Sequence, residues 1–296
     1  MLFSVIIATY DRAKFIEATL ESVRAQEFKD YETIVVDDGS TDETMSLLQE
    51  HPWVRVLRQK NKGPGAARNY GASQARGEYI AFLDSDDIWF PWTLATYATV
   101  IHDYNDPAIV SAGLVEFSDQ SEVPLIKEDR LRVDDYLDYL SASRAGYFVG
   151  AGMSVLKRDE FLRVGGYIHR RTNAEDHDLI LRLGLAPGFV RILRPITLAW
   201  RRHAQSATAD LARNVEGSSW LIEQERRGNY PGGALRIRER RTNILQHVRP
   251  VALECLRKNM RRDAWELYRA TFCWHIALRR WKFLIGFPVR ACVARQ

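Results

Sequence analysis

Cysteine is scarce in this 296-residue chain: Cys255, Cys273 and Cys292 are odd in number and widely spaced. No CxxC pair occurs, which argues against a zinc ribbon, a dithiol redox motif and a disulfide framework alike. Free thiols in a reducing compartment are the simplest reading, so a cytoplasmic setting is expected. Long apolar runs are missing too, and nothing approaches the roughly 18–20 residues needed to span a bilayer. The opening MLFSVIIATYDR lacks a basic n-region and reads as a first strand rather than a signal peptide. A soluble or peripheral protein is therefore expected. Internal repeats and low-complexity tracts are absent. So is an intact dinucleotide fingerprint: in Gly63-Pro64-Gly65-Ala66-Ala67-Arg68 the third glycine position holds Arg68, and the loop follows a third strand.

What is present is a globular composition, 46% apolar and 27% charged. The net charge of +4 hides an asymmetry. Residues 1–200 carry 22 Lys/Arg against 30 Asp/Glu, and residues 201–296 carry 20 against 8. A basic tail on an acidic body implies either an anionic partner for the tail or attraction between the two halves.

The first hundred residues alternate strand and helix. Phe3–Ala8 is a short apolar, β-branched run, hence a buried strand, and Tyr31–Val36, Trp53–Leu57 and Glu78–Leu83 read as the second, third and fourth strands. Residues 13–27 place Ile16, Leu20 and Val23 on one helical face, and residues 66–75 form an Ala-rich helix. Ser40 three residues before Glu43 reads as a capping box for a helix carrying Met45, Leu47 and Leu48. This order predicts an α/β fold with right-handed crossovers and a mainly parallel sheet. Further strands are expected near 108–117 and over Tyr147–Leu156, then a short helix over 175–184 and extended chain over 189–203. Beyond Gln205 the pattern changes to Arg-rich helices, broken at Gly228–Gly233 and Pro250. The boundary is placed near 204, giving residues 1–204 and a basic helical region, 205–296.

In parallel sheets, ligands bind beyond the carboxyl ends of the strands. Acidic residues gather at those positions. Asp84, Asp86 and Asp87 follow the fourth strand, where crowded hard oxygen ligands suit Mg²⁺ or Mn²⁺ shared with a diphosphate. A solvated acidic turn is the plainer alternative. Asp37-Asp38 ends the second strand. A carboxylate there would favour a base offering a ring N–H, meaning uracil, thymine or guanine over cytosine, or else serve as a turn aspartate that bonds its own backbone. Glu175-Asp176-His177-Asp178 opens a helix, where acids also favour the macrodipole; one of them is a candidate general base. Arg201-Arg202-His203 ends an extended segment.

Together these segments resemble the family 2 glycosyltransferases. The matching residues are Ser4 to Arg12, Val35 to Asp42, Gly63 to Asn69, Ala81 to Asp87, Gly165-Gly166-Tyr167 with Glu175-Asp176, and Arg202-His203. The resemblance covers residues 3 to about 204 and implies a GT-A fold and an inverting transferase that uses a nucleoside-diphosphate sugar donor. It implies that Ala8 and Tyr10 line the base pocket, that Asp38 accepts from the ring N–H, and that Arg68 lies near the nucleotide. Asp84 approaches the ribose or a metal-bound water, Asp86 ligates Mn²⁺ or Mg²⁺, and His203 approaches the metal or diphosphate. Asp176 is the catalytic base. UDP is the favoured carrier, and the acceptor is a glycan or lipid-linked saccharide.

Two rival readings remain at this point. A sugar nucleotidyltransferase should carry a Gly-rich loop after the first strand, where this chain has Thr9-Tyr10-Asp11-Arg12. A non-catalytic sugar-nucleotide or carbohydrate-binding scaffold has no need of Asp176. In the tail, residues 255–290 mix arginines with Trp265, Tyr268, Phe272, Ile276 and Trp281, and positions 268, 272 and 276 share a helical face. This region either lies on an anionic membrane, which would place the protein on the inner face, or packs on the catalytic domain. No nucleic-acid module accompanies the charge.

Overall fold

The apolar runs form strands and the amphipathic segments between them form helices, as a computed structural model shows for residues 1–119, 123, 130–170, 172–203 and 210–293. In chain order the elements are β1 (Phe3–Thr9), α1 (Ile16–Arg24), β2 (Tyr31–Asp37), α2 (Thr44–Gln49), β3 (Arg55–Arg58), α3 (Pro64–Ser73), β4 (Tyr79–Asp84), β5 (Ile88–Trp89) and α4 (Thr93–Asp103). Next come β6 (Ile109–Ala112), β7 (Leu114–Phe117), β8 (Arg132–Tyr136), β9 (Ser154–Lys157), α5 (Arg158–Arg163), α6 (Glu175–Arg182), β10 (Phe189–Arg194) and β11 (Leu198–Arg201). The chain ends in α7 (Leu211–Arg226), α8 (Ile237–Arg257), α9 (Arg261–Ala277) and α10 (Trp281–Val293).

Two compact units emerge. The first comprises the described residues within 1–139, 149–171 and 186–204, the second those within 140–148, 172–185 and 205–296. The expected boundary at 204 falls outside the described residues. Residues 140–148 and 172–185, which the sequence places in the 1–204 segment, cluster with the C-terminal helices.

In the first unit the described residues form an eight-stranded sheet ordered β3-β2-β1-β4-β9-β6-β10-β8. The β3-β2-β1-β4 half is wholly parallel, as expected, while β9 runs antiparallel to both β4 and β6. A small sheet, β5-β11-β7, stands apart. Phe3, Val5, Ile6 and Ile7 of β1 are fully buried, the mark of a strand covered on both faces. Ile16, Leu20 and Val23 of α1 all lie in the core, matching the predicted face. Helix α3 lies so close to β1 that a Cβ at Gly71 would stand 2.5 Å from Ile6 Cγ2.

Three local expectations fail. Ser40 does not cap α2; its hydroxyl accepts the Asp11 N–H at 3.0 Å, while Asp42 accepts the Thr44 N–H at the same distance. The strand expected over 147–156 shrinks to Ser154–Lys157, because the chain turns at Gly152, which has a φ of +79°. Pro250 does not break a helix: it lies inside α8, where buried Val248, Val251 and Ala252 hold the helix through the missing N–H. The break expected at Gly228–Gly233 is present between α7 and α8, and the later ones come at Asn259 and Arg279, both in the left-handed region.

In the second unit, buried Arg240 of α8 pairs with buried Glu225 of α7 at 2.7 Å. Asp178 of α6 accepts from Tyr230 Oη at 2.9 Å and Trp220 Nε1 at 3.1 Å, and pairs with Arg182 at 2.8 Å.

Candidate active site

Strand register sets the site. Thr9 stands opposite Asp37, and Ala8 stands opposite both Val36 and Asp84, so β1, β2 and β4 finish level. Their loops share one edge. Ala8 is half-buried there and Tyr10 is 42% exposed. The loop after β1 is laced to that after β2: the Asp11 carboxylate accepts the Thr41 N–H at 2.8 Å, which holds its pKa below the usual range.

Neither residue of Asp37-Asp38 is idle. Buried Asp37 accepts the Ser40 N–H and pairs with Arg58 at 3.1 Å. Asp38 accepts from Gln59 Nε2 at 2.7 Å and from the backbone N–H groups of Lys62 and Gly63 at 2.9 and 2.8 Å. These bonds fix the loop leading into α3 and use three of the roughly four acceptor positions of a carboxylate. The chain thereby fills most of the capacity that the sequence assigns to a nucleobase.

Arg68 is buried and binds Asp84 at 2.6 Å. Its guanidinium lies 5.1 Å over the Tyr167 ring. Asn69 holds Tyr167 in turn, accepting its N–H and donating to its carbonyl, each at 2.8 Å. The motifs at 63–69, 81–87 and 165–167 thus form one cluster.

The acidic turn divides its labour. Asp87 is buried and accepts the Arg201 N–H at 2.9 Å, while its Oδ2 is buried with no hydrogen-bond partner. Burial, then the neighbouring Asp84 and Asp86 charges, push its carboxyl well above the ordinary value. Asp86 points the other way: its Oδ2 lies 2.9 Å from His203 Nε2 and 3.4 Å from Arg12 Nε. His203 stacks on Phe15, ring centroids 4.9 Å apart. The Arg201 guanidinium lies over Phe117 at 4.5 Å and Phe15 at 5.2 Å, with Nε donating to the Asp86 carbonyl at 2.8 Å.

Among the described residues no group of three or more His, Cys, Asp and Glu side chains could hold a cation unaided. Asp86 and His203 nonetheless suit one. They bring one oxygen and one nitrogen donor together, and a cation held there would need further ligands from outside the chain, such as a diphosphate or water.

Asp176 lies in the second unit, half-buried in the first turn of α6. The structure separates it from Asp178, whose three partners make it a packing residue. The sequence reading singled out neither Phe15, which shelves His203, nor Arg12 and Arg201 as rim cations. Arg12 and Arg201 fell inside quoted motifs; Phe15 carried no signal.

The eight-stranded sheet flanked by helices is a GT-A glycosyltransferase fold. S. aureus TarS 1-349 in complex with UDP-GlcNAc superposes with a TM-score of 0.67 at 20% identity, over 84% of this chain and 73% of that fragment. The Pyrobaculum calidifontis mannosyltransferase PcManGT, in complex with GDP-Man and Mn²⁺, superposes at 0.58 and 20% identity, over 98% and 86%. The Glycosyl transferase family 2 pattern matches residues 4–164, and the chain belongs to that family. An uncharacterized glycosyltransferase of Haemophilus influenzae is 29% identical over 208 residues, 66% of this chain and 67% of that protein. The Escherichia coli UDP-Glc:alpha-D-GlcNAc-diphosphoundecaprenol beta-1,3-glucosyltransferase WfaP is 45% identical over 91 residues, 30% of this chain and 36% of WfaP. The match to an uncharacterized glycosyltransferase of Rickettsia felis spans only 15% of that longer protein.

Proposed function

We propose that this chain is an inverting glycosyltransferase that moves a sugar from a nucleoside diphosphate, UDP by preference, to a hydroxyl of a glycan or lipid-linked acceptor. The observation that carries the proposal is the rim where Asp86, His203 and Arg12 meet beside the level ends of β1, β2 and β4. WfaP is named for a UDP-Glc donor and a lipid diphosphate acceptor, and TarS was solved with UDP-GlcNAc, which supports this donor class.

Asp86 and His203 would hold Mn²⁺ or Mg²⁺, which supplies Lewis acidity and orientation to the diphosphate when bound. Arg12 and Arg201 add fixed positive charge at the same edge, favouring the negative charge that develops on the leaving group. Tyr10 and Ala8 border the base, and Asp38 offers its remaining acceptor position to a ring N–H. Arg68 orients Asp84 toward the ribose. Asp176 takes the proton from the acceptor hydroxyl as that oxygen attacks the anomeric carbon. The bond from that carbon to the diphosphate oxygen breaks on the opposite face, and one displacement inverts the configuration. The role of Asp176 rests on its place in the Glu175-Asp176 motif.

Incubation with UDP-, dTDP- and GDP-sugars and a panel of saccharide acceptors tests this reading. The expected products are a nucleoside diphosphate and a glycoside of inverted anomeric configuration, read by NMR. Pyrophosphate as the product would instead mark a nucleotidyltransferase, and binding without turnover would mark a scaffold.

A further inference from the structure

The second unit crowds cations around one cavity that has no Asp or Glu among its described lining residues. After Glu266 the sequence has six Lys/Arg and no Asp or Glu. Arg249 of α8 and Lys282 and Arg290 of α10 line a cavity of about 200 Å³ that is walled by Leu253, Phe283 and Phe287. Arg249 lies 5.4 Å over the Phe283 ring, and its Nε is buried with no hydrogen-bond partner. On the same Phe283, at 4.5 Å, sits fully buried His275 with both ring nitrogens unpartnered. Burial, then Arg249 and Arg280, holds the His275 pKa down to about 4. Burial and Arg249 lower that of Arg280 in the same sense. Like charges held together around an apolar pocket are costly in isolation and are relieved by an anion.

The outer face of α10 adds a second observation. Phe283, Leu284, Phe287 and Ala291 are buried, yet Trp281, Ile285 and Val289 are 53%, 68% and 57% exposed. These three recur every four residues and form one stripe, with Lys282 and Arg290 also exposed on the helix. A helix apolar on both faces calls for a non-aqueous neighbour on its open side. A second copy docking face to face would set these cations against their own equivalents, and a nucleic acid offers no apolar partner for exposed Ile285 and Val289. A surface with apolar depth and anionic heads matches both features.

We propose that α8 and α10 seat the protein on an anionic phospholipid membrane, with the Trp281–Ile285–Val289 stripe entering the headgroup layer and the Arg249–Lys282–Arg290 cavity receiving a lipid phosphate. The seat is independent of the donor chemistry.

Flotation of the full chain with vesicles of phosphatidylcholine alone, and of an equal mixture with phosphatidylglycerol, tests it. Binding is expected with the mixture only. Ile285→Glu, at an exposed position, should abolish it while leaving the circular dichroism spectrum unchanged. Lys282→Gln and Arg290→Gln should each weaken partitioning about fivefold, the effect of one cation near an anionic surface. Equal binding to both vesicles, no binding, or indifference to all three substitutions would overturn the proposal. A thermal shift with inorganic phosphate but no flotation would assign the cavity to a free anion and overturn the membrane seat. A dimer seen by light scattering and lost in Ile285→Glu, again without flotation, would assign the stripe to a second copy.

Discussion

Asp86 and Asp87 are adjacent and chemically identical, yet they stand in opposite environments. Asp87 turns inward beneath the Arg201 backbone, and burial favours its neutral form. Asp86 faces His203, 117 positions away in the chain, across 2.9 Å. The sequence made the acidic turn and His203 visible as separate motifs. It could not divide the turn, because strand alternation ends at Asp84 and the backbone of a turn decides which carboxylate points out. Asp38 shows the converse. Its position was legible, but its bonds to Gln59, Lys62 and Gly63 depend on a loop more than twenty residues away. The 175–178 run sorts itself by burial, with Asp178 tied to Tyr230 and Trp220 and Asp176 left half-exposed. A positioned base contributes about 10²–10⁴-fold, so Asp176→Asn should lower kcat by at least that range while nucleotide affinity stays within about twofold. Near-normal turnover would remove Asp176 from the role.

Among the elements, those built on strong periodicity were the most legible. The four parallel strands and α1 follow from apolar runs and a 3.6-residue period, and their register carries Ala8, Asp37 and Asp84 to one edge. Short-range signals fared worse. The Ser40/Glu43 pair has the spacing of a capping box, but tertiary contacts with the β1 loop claim the Ser40 hydroxyl. Pro250 reads as a breaker but is overridden by its buried neighbours. Residues 268, 272 and 276 share a face by spacing, yet only Tyr268 of the three is buried, since α9 turns Ala264, Leu267, Trp274 and His275 inward. The contact of α3 with β1 invites a direct check. In Gly71→Ala the new methyl meets Ile6 Cγ2 at 2.5 Å and Val36 Cγ2 at 3.1 Å. Overpacking of this kind costs about 1–3 kcal/mol, so the urea midpoint should fall measurably. An unchanged midpoint would mean that α3 is not seated so tightly.

At the scale of the whole molecule, the 5:2 excess of basic over acidic residues in the last third was plain from the sequence. What it surrounds was not, because the cavity between α8 and α10 depends on packing. The second unit also predicts a pH dependence. His177 and His247 lie with ring centroids 4.2 Å apart, beside Phe148. Burial lowers both pKa values, that of His247 to about 4. Each ring is thus harder to protonate when folded than when unfolded, where the value is about 6.5. Their effect on stability is therefore absent above that pH and becomes destabilising as pH falls from about 6.5 toward 4. For His247 the full loss is about 3 kcal/mol. Urea midpoints of the wild type should drop across this window more steeply than those of His247→Leu, and identical slopes would contradict the account.

The edge carrying Asp86 and His203 is proposed to bind a nucleoside diphosphate together with a divalent cation. Calorimetric titration of UDP, with and without Mn²⁺, into wild type and Asp86→Ala tests it most directly. Tight, Mn²⁺-dependent binding is expected for the wild type, with loss of the Mn²⁺-dependent part in the variant. Equal affinity in both proteins, with or without the metal, would contradict it.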